Sequence, residues 1–527
     1  MLKRFEPWLW VLAAVLVSRF IGMMLFPFVD TTEPRYAEIA RLMVETGDWI
    51  TPWFEPGVPF WGKPPLSFWA QAASVKIFGL SEFSLRLPAW IATVGIIWLT
   101  WCIAKATRGA VVARWSTLVL STMALTYISA GAVMTDTFLV FGTTLSLVSF
   151  WFVISGQPDS WRWWFFVGLA IGLLAKGPLV VVLTVAPLAI WAAVFRQQLK
   201  PIKRMPWVLG SLLTVSIAAP WYVLAELKTP GFINYFIIGE HFSRFLDPGW
   251  AGDLYGSAHD RPKGMICVFW LWASFPWGLI GLVGLGVAAV RGQARGIVTG
   301  VTRDPSALYL LFCAITPMMF FTLAGNTLWT YVLPSLPFSA ILIAGWVSRL
   351  NIRPWSRVRS GAVLLAPVLI TCLVFIGVSG IEPLKTEKQL IGRYESVQRA
   401  GDSPILYVGD MPFSARFYSS GEAVETTPKE LDVVLNDDEY ARVFVAIPKN
   451  AGDGVLGQDS AKAQRAGESR RYQLFSIDLR PAIRLSAIPF GARITHCSID
   501  SGSPPVLVSN RAFAMLPSFH HDLRSPN

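Results

Sequence analysis

Trp8-Leu-Trp-Val-Leu-Ala-Ala-Val-Leu-Val-Ser-Arg-Phe-Ile-Gly-Met-Met-Leu-Phe-Pro-Phe28 is long and apolar enough to cross a bilayer as a helix. Lipid offers no partner to a backbone N–H or C=O, so a run of about 20 apolar residues must close its hydrogen bonds internally. Lys3 and Arg4 precede it, and no small-residue cleavage site leads into a soluble domain. The segment therefore reads as a retained anchor rather than a removed signal peptide. The same criterion gives about eleven spans in all. The others lie near Leu87–Ala104, Trp115–Ala130, Phe138–Ile154, Trp163–Ala175, Leu179–Phe195, Trp207–Leu224, Met265–Val290, Leu308–Leu323, Leu328–Val347 and Ala362–Val378.

Composition agrees with that reading. Of 527 residues, 53% are hydrophobic and 15% charged, with 24 Trp and 34 Phe. A soluble domain carries about 25% charge, so a soluble multidomain enzyme, a disordered chain and a secreted disulfide scaffold are excluded. The net charge of +11 resides mostly between apolar runs, which points to membrane orientation rather than nucleic acid. The five Cys are scattered, with Cys497 alone in the polar tail, and form neither a zinc ribbon nor a disulfide framework.

Basic residues cluster in alternate loops: Lys105, Arg108 and Arg114; Arg196, Lys200, Lys203 and Arg204; Arg291, Arg295 and Arg303; Arg349, Arg353, Arg357 and Arg359. With about eleven spans all four loops fall on the side of the N-terminus, which is thereby cytoplasmic. Outside remain loops 29–86 and 226–263, the turns at Asp136 and Lys176, and the tail. Residues 1–380 thus form a polytopic α-helical membrane domain and 381–527 a separate outer domain. The tail mixes β-rich runs (Ile405–Val408, Val443–Ile447, Tyr472–Ile477, Val506–Ser509) with helix-compatible pieces such as Pro412–Tyr418, so a small periplasmic α/β domain is expected. Asn450–Arg470, Gly-rich and polar, is expected to be a loop.

The first outer loop carries the densest chemistry, Asp30-Thr-Thr-Glu33-Pro-Arg35-Tyr36-Ala-Glu38-Ile-Ala-Arg41. Pro34 can open a helix whose Ile39, Leu42 and Met43 share a face, with Glu38 and Glu45 off it. That pattern describes an amphipathic helix on the membrane surface, with Asp30 and Glu33 at the water boundary. Simple capping is the plain alternative. Lys63 precedes Pro64-Pro65, which project its ammonium from a rigid turn at phosphate depth; a snorkelling lysine is the alternative. Asp136 and Lys176 each sit at the outer end of an apolar run, where an ionisable group is a functional hypothesis by default. Glu240-His241-Phe-Ser-Arg244 would place His241 and Arg244 on one face if Phe232–Phe245 is helical, a pairing suited to a phosphate or a metal. Pro334 and Pro337 should break the tenth span, leaving the Tyr331 hydroxyl free to face a cavity.

Glu33-Pro-Arg-Tyr-Ala-Glu-Ile-Ala-Arg41, Gly47-Asp-Trp49, Lys63-Pro-Pro-Leu66, Asp136, Lys176-Gly-Pro178, Glu240-His241…Arg244-Phe and Tyr331-Val-Leu-Pro334, in this order, resemble the ArnT-like and protein mannosyltransferase superfamily. The resemblance covers the first two thirds of the chain and implies a GT-C glycosyltransferase of the bacterial inner membrane. It implies a polyprenyl-phosphate sugar as donor and lipid A or another envelope acceptor on the periplasmic side. The sugar is 4-amino-4-deoxy-L-arabinose, or else galacturonic acid or a hexose placed on lipid A, core or protein. On this resemblance Asp30, Glu33 and Asp136 are catalytic acids or bases, with Asp30 slightly ahead of Glu33. Lys63, Lys176, Arg244 and Tyr331 hold the donor phosphate, and Arg35, Tyr36, Glu240 and His241 serve the acceptor. Two positions depart from the pattern. Thr32 stands where family members carry Asp, and Gly62 stands where many carry a metal-binding Glu, which disfavours a divalent metal and leaves His241 as its one named ligand. The rival class is a polyprenyl-lipid transporter or flippase, against which the lack of an internal repeat weighs.

Overall fold

Apolar runs become helices, and their lengths follow the apolar stretch. In the computed structural model the described residues are 7–247, 249–256, 261–348, most of 361–372, 384–437, 439–451, 455–456 and 462–479. They belong to one compact unit, Met1–Arg480. Among them six helices are long and apolar enough to span a membrane: α1 (Pro7–Leu25), α4 (Glu82–Arg108), α7 (Asp136–Ile154), α10 (Trp207–Lys228), Pro305–Thr322 and Trp329–Val347. The shorter α5 (Ala110–Ser121), α8 (Trp161–Lys176) and α9 (Leu179–Val194) pack between them. Ala362–Val378 lies only partly within the described residues.

Three expected spans are interrupted. Trp115–Ala130 splits into α5 and α6 (Ala124–Ser129) because Met123 is extended, at φ −67° and ψ 135°. Met265–Val290 bends by 110° at a break before Trp277, where Pro276 cannot continue the helical ladder. Trp329–Ser335 is a 3-10 turn holding Pro334, and a regular helix resumes at Leu336–Val347. Phe232–Phe245 is also not a plain α-helix, since Asn234–Ser243 is wound as a π-helix.

Helices α7 and α8 approach through small residues. A Cβ on Gly142 would stand 2.6 Å from the Gly168 carbonyl, and one on Gly168 would stand 2.4 Å from the Ser146 hydroxyl. Such close approach is how membrane helices gain packing without a hydrophobic driving force. At the end of α8, Gly177 takes φ +72°, which turns the chain into Pro178 and α9 and leaves Lys176 at the corner.

Loop 29–86 folds onto protein. Helix α2 (Thr32–Thr46) buries Tyr36, Ile39, Leu42 and Met43, and its core includes Phe28, Phe60, Phe68 and Phe417. It is therefore covered by other elements instead of lying on the membrane surface. Glu38, expected off the apolar face, is 3% exposed and takes a bidentate Arg41 at 2.7 and 2.7 Å. Behind it stand the hairpin β1 (Trp53–Glu55) and β2 (Val58–Pro59) and helix α3 (Leu66–Phe78).

The tail forms a mixed five-stranded sheet in the order β4-β3-β5-β7-β6. Strand β3 (Ile405–Val408) is parallel to β4 (Val424–Thr426) and β5 (Arg442–Pro448), while β7 (Tyr472–Asp478) is antiparallel to β5 and β6 (Ala463–Glu468). Helices Lys388–Val397 and Pro428–Leu435 bury opposite faces of it. The β6 strand falls inside Asn450–Arg470, the expected loop. Its polar residues suit an edge strand, and backbone pairing with β7 needs no apolar side chains. Val506–Ser509 and Cys497 lie outside the described residues.

Candidate active site

A cavity of about 700 Å³ opens where the ends of α1, α4, α7 and α8 meet loops 29–86 and 226–263. Its wall carries six cations (Arg19, Arg35, Lys63, Arg86, Lys176, Arg244) and three carboxylates (Glu33, Asp136, Glu240). A second, largely apolar cavity of about 380 Å³ adjoins it, with Lys63, Lys176, Glu240, Arg244 and Tyr331 in both walls and Phe236, Phe245 and Phe320 beyond.

Each carboxylate is held by a cation from a distant part of the chain. Lys176 reaches Asp136 Oδ1 at 2.7 Å, joining the end of α8 to the start of α7, and its ammonium lies 5.1 Å from the Tyr331 ring centroid. The other Asp136 oxygen carries no hydrogen bond among the described residues. Lys63 meets Glu240 at 3.0 Å, and Glu240 also takes Arg244 at 2.9 Å, which in turn meets Asp253 at 3.1 Å. Burial works to raise Glu240, but the Lys63 and Arg244 charges prevail and hold its carboxyl below the usual range. Burial lowers His241 below the ordinary imidazole value and pushes the Tyr255 phenol up to about 12.

Glu33 is fully engaged. Arg86 grips both its oxygens, at 2.9 Å from Nε and 2.7 Å from Nη2, and the Val133 amide donates to Oε1 at 3.0 Å. Arg86 also donates to the carbonyls of Phe26 and Pro27 at 2.5 and 3.2 Å, and its guanidinium lies 4.6 Å from the Phe28 ring centroid. Arg86 and Arg19 escaped sequence reasoning, although a charge inside an apolar span (Arg19) and one at the margin of a span (Arg86) were the signals that could have found them. Arg35 donates to the Tyr255 carbonyl at 2.6 Å, and Tyr36 stands in the wall beside it.

Asp30 is placed elsewhere. Its Oδ1 accepts from the Ser414 amide at 2.8 Å, and its Oδ2 accepts from the Ser414 hydroxyl at 2.6 Å and from Arg471 at 2.5 Å. Arg471 also pairs at 3.0 Å with Glu387, whose carboxyl burial pushes up. Asp30 thus ties loop 29–86 to the tail, and it is not among the residues lining the cavity. The residues of that loop in the cavity wall are Thr31, Thr32, Glu33, Arg35 and Tyr36.

His241 lines the second cavity only, and both ring nitrogens face backbone carbonyls, Phe236 at 2.7 Å and Lys176 at 3.1 Å. Beside Lys63 the chain carries Gly62, which offers no side-chain ligand to a metal. A Cβ on Gly62 would stand 2.9 Å from the tip of the Phe60 ring, which would have to shift to admit it. Among the described residues no three His, Cys, Asp or Glu side chains form a metal-holding group.

The described residues form a helical domain with several candidate membrane spans and an ionic cavity at the helix ends. The crystal structure of ArnT from Cupriavidus metallidurans bound to undecaprenyl phosphate superposes with a TM-score of 0.70 at 18% identity, covering 89% of this chain and 97% of that one. The same protein in the apo state gives 0.67, also at 18% identity and the same coverage. Residues 9–236 match the family model for dolichyl-phosphate-mannose-protein mannosyltransferase. The undecaprenyl phosphate-alpha-4-amino-4-deoxy-L-arabinose arabinosyl transferases of Aeromonas salmonicida and Edwardsiella ictaluri are 30% and 31% identical over 376 and 358 residues. Those alignments take in 68% and 66% of this chain, but only 63% and 59% of the relatives' own length. The chain is similar to members of the ArnT-like and protein mannosyltransferase superfamily over part of its length, and it shares their fold.

Proposed function

We propose that this protein is a glycosyltransferase of the bacterial inner membrane that moves a sugar from a polyprenyl-phosphate carrier to lipid A. The sugar is 4-amino-4-deoxy-L-arabinose, the one in its relatives' names. The cavity and the tail face the periplasm, and about eleven spans carry the chain across. The observation that carries this reading is the wall shared by the two cavities. An apolar cavity next to a cationic one suits a lipid chain whose head is a phosphate.

In the proposed step the carrier phosphate sits against Lys63, Lys176, Arg244 and Tyr331. The acceptor hydroxyl oxygen attacks the anomeric carbon from the face opposite the phosphate, and the C–O bond to phosphate breaks. The electron pair leaves on the phosphate, where the cations stabilise the developing charge. Asp136, which lines the cavity and among the described residues is hydrogen-bonded through Oδ1 alone, takes the hydroxyl proton as the new bond forms. The anomeric centre inverts, and no step needs a metal.

The test uses the full chain in lipid nanodiscs with lipid A and undecaprenyl-phosphate carriers of aminoarabinose, galacturonic acid or a hexose. Mass spectrometry should report lipid A gaining the mass of one aminoarabinose. Gain of another sugar corrects the donor, and movement of the carrier across the bilayer with no transfer overturns the proposal in favour of a flippase.

A further inference from the structure

Helix α1 carries a charge in its interior. Arg19 lies six residues before Leu25, about 9 Å along the axis at 1.5 Å per residue. It is 8% exposed, a guanidinium keeps its proton, and a cation at that depth is costly unless something meets it. Nη2 donates to the carbonyl of Ile128, in the last turn of α6, at 2.9 Å and to that of Gly131, just past its end, at 2.6 Å. Nε is buried without a partner. Its charged neighbours are Arg86 and Glu33, and Glu33 is already taken through both oxygens by Arg86. Two arginines therefore share one carboxylate.

The place is built for this side chain. A Cβ on Gly131 would stand 2.5 Å from Arg19 Nε and 2.6 Å from Met23 Cγ, so only glycine admits the guanidinium there. Arg19 and Gly131 both line the large cavity, and neither borders the apolar one. Lys63, Lys176 and Arg244 border both cavities, and each is paired with a carboxylate. The cavity thus has two cationic regions. The one beside the apolar cavity is matched by carboxylates, and the one around Arg19 carries an unmatched positive charge.

We propose that Arg19 is the anion-recognising residue of a second subsite, separate from the carrier-phosphate site, which takes a phosphate monoester or carboxylate on a substrate entering the cavity. The inference rests on the transferase reading for which substrates those are. The oxyanion comes either from a phosphate on the acceptor glycolipid or from the carboxylate of a uronic acid on the donor. Capping of α6 alone would give Arg19 a purely structural part.

Binding, measured on the full chain in nanodiscs, separates these cases. The probes are bis-phosphorylated lipid A, the same lipid A dephosphorylated, and undecaprenyl-phosphate carriers of a uronic acid and of a neutral hexose. Arg19→Gln should lower affinity for the phosphorylated lipid at least tenfold relative to the dephosphorylated one. A loss of that size confined to the uronic-acid carrier supports the subsite and assigns its anion to the donor. Equal changes for charged and uncharged probes, or none, overturn the proposal and leave Arg19 as a cap of α6. Should Arg19→Gln fail to fold, Arg19→Lys keeps the charge without the planar fork, and its phosphorylated-to-dephosphorylated ratio decides, a drop of at least threefold being expected. If wild-type protein shows phosphate-dependent binding at Arg19 but transfers no sugar, the transferase reading fails while the subsite stands.

Discussion

Two acids a few residues apart in sequence, Asp30 and Glu33, end in different environments, and a third, Asp136, keeps an oxygen free. Asp136→Asn should therefore lower kcat about 100-fold or more, as loss of a general base does, with the donor KM changed little. Asp30→Asn should leave kcat within a few-fold and lower the unfolding temperature, because its partners are Ser414 and Arg471. Steady-state kinetics and thermal unfolding on the two variants check this directly. The opposite pattern would restore Asp30 as the base. Glu240 sets a pH dependence whose sign follows from its lowered carboxyl. Such a group contributes stability above the ordinary glutamate value near 4.3, and that contribution is lost as pH falls through the lower folded value. Thermal unfolding of wild type against Glu240→Gln should show the difference between them shrinking below about pH 4.3.

Contact between elements depends on small residues and on ionic ties that cross the chain. Gly168→Val inserts a side chain where Gly142 and Ser146 leave no space. Overpacking of this kind costs about 1–3 kcal/mol, so the unfolding temperature in detergent should drop by several degrees, with less monodisperse protein recovered. Removing Arg471 leaves Asp30, at 2% side-chain exposure, and Glu387, at 0%, without their cation. Stranding buried carboxylates costs about 3–5 kcal/mol. Arg471→Ala should make the tail protease-sensitive, and the added changes Asp30→Asn and Glu387→Gln should restore resistance in part. Resistance unchanged in Arg471→Ala would show that the apolar contacts of Phe28 and Phe417 hold this seam alone.

For the molecule as a whole, orientation is the quantity to measure. Ser420→Cys, in the tail, should react with an impermeant thiol reagent in spheroplasts, and Gln293→Cys, in a basic connection, only after permeabilisation. The reverse labelling would invert the proposed topology.

The helical membrane class and the mixed tail were legible in the sequence because a membrane forces long apolar runs and a small sheet needs β-rich ones. Lys63, Asp136, Lys176, Glu240 and Arg244 were legible as charges at the margins of those runs. Which charge meets which was not: sequence spacing gives no distance between Lys176 and Asp136, or between Lys63 and Glu240, until helices pack. The turning of Asp30 toward the tail and the placement of Arg86 and Arg19 in the cavity wall are tertiary facts of the same kind. The chain alone determined how much of it must leave water, since that depends on the apolar content of each segment. Only packing decided which buried charges find partners, since that depends on where distant segments meet.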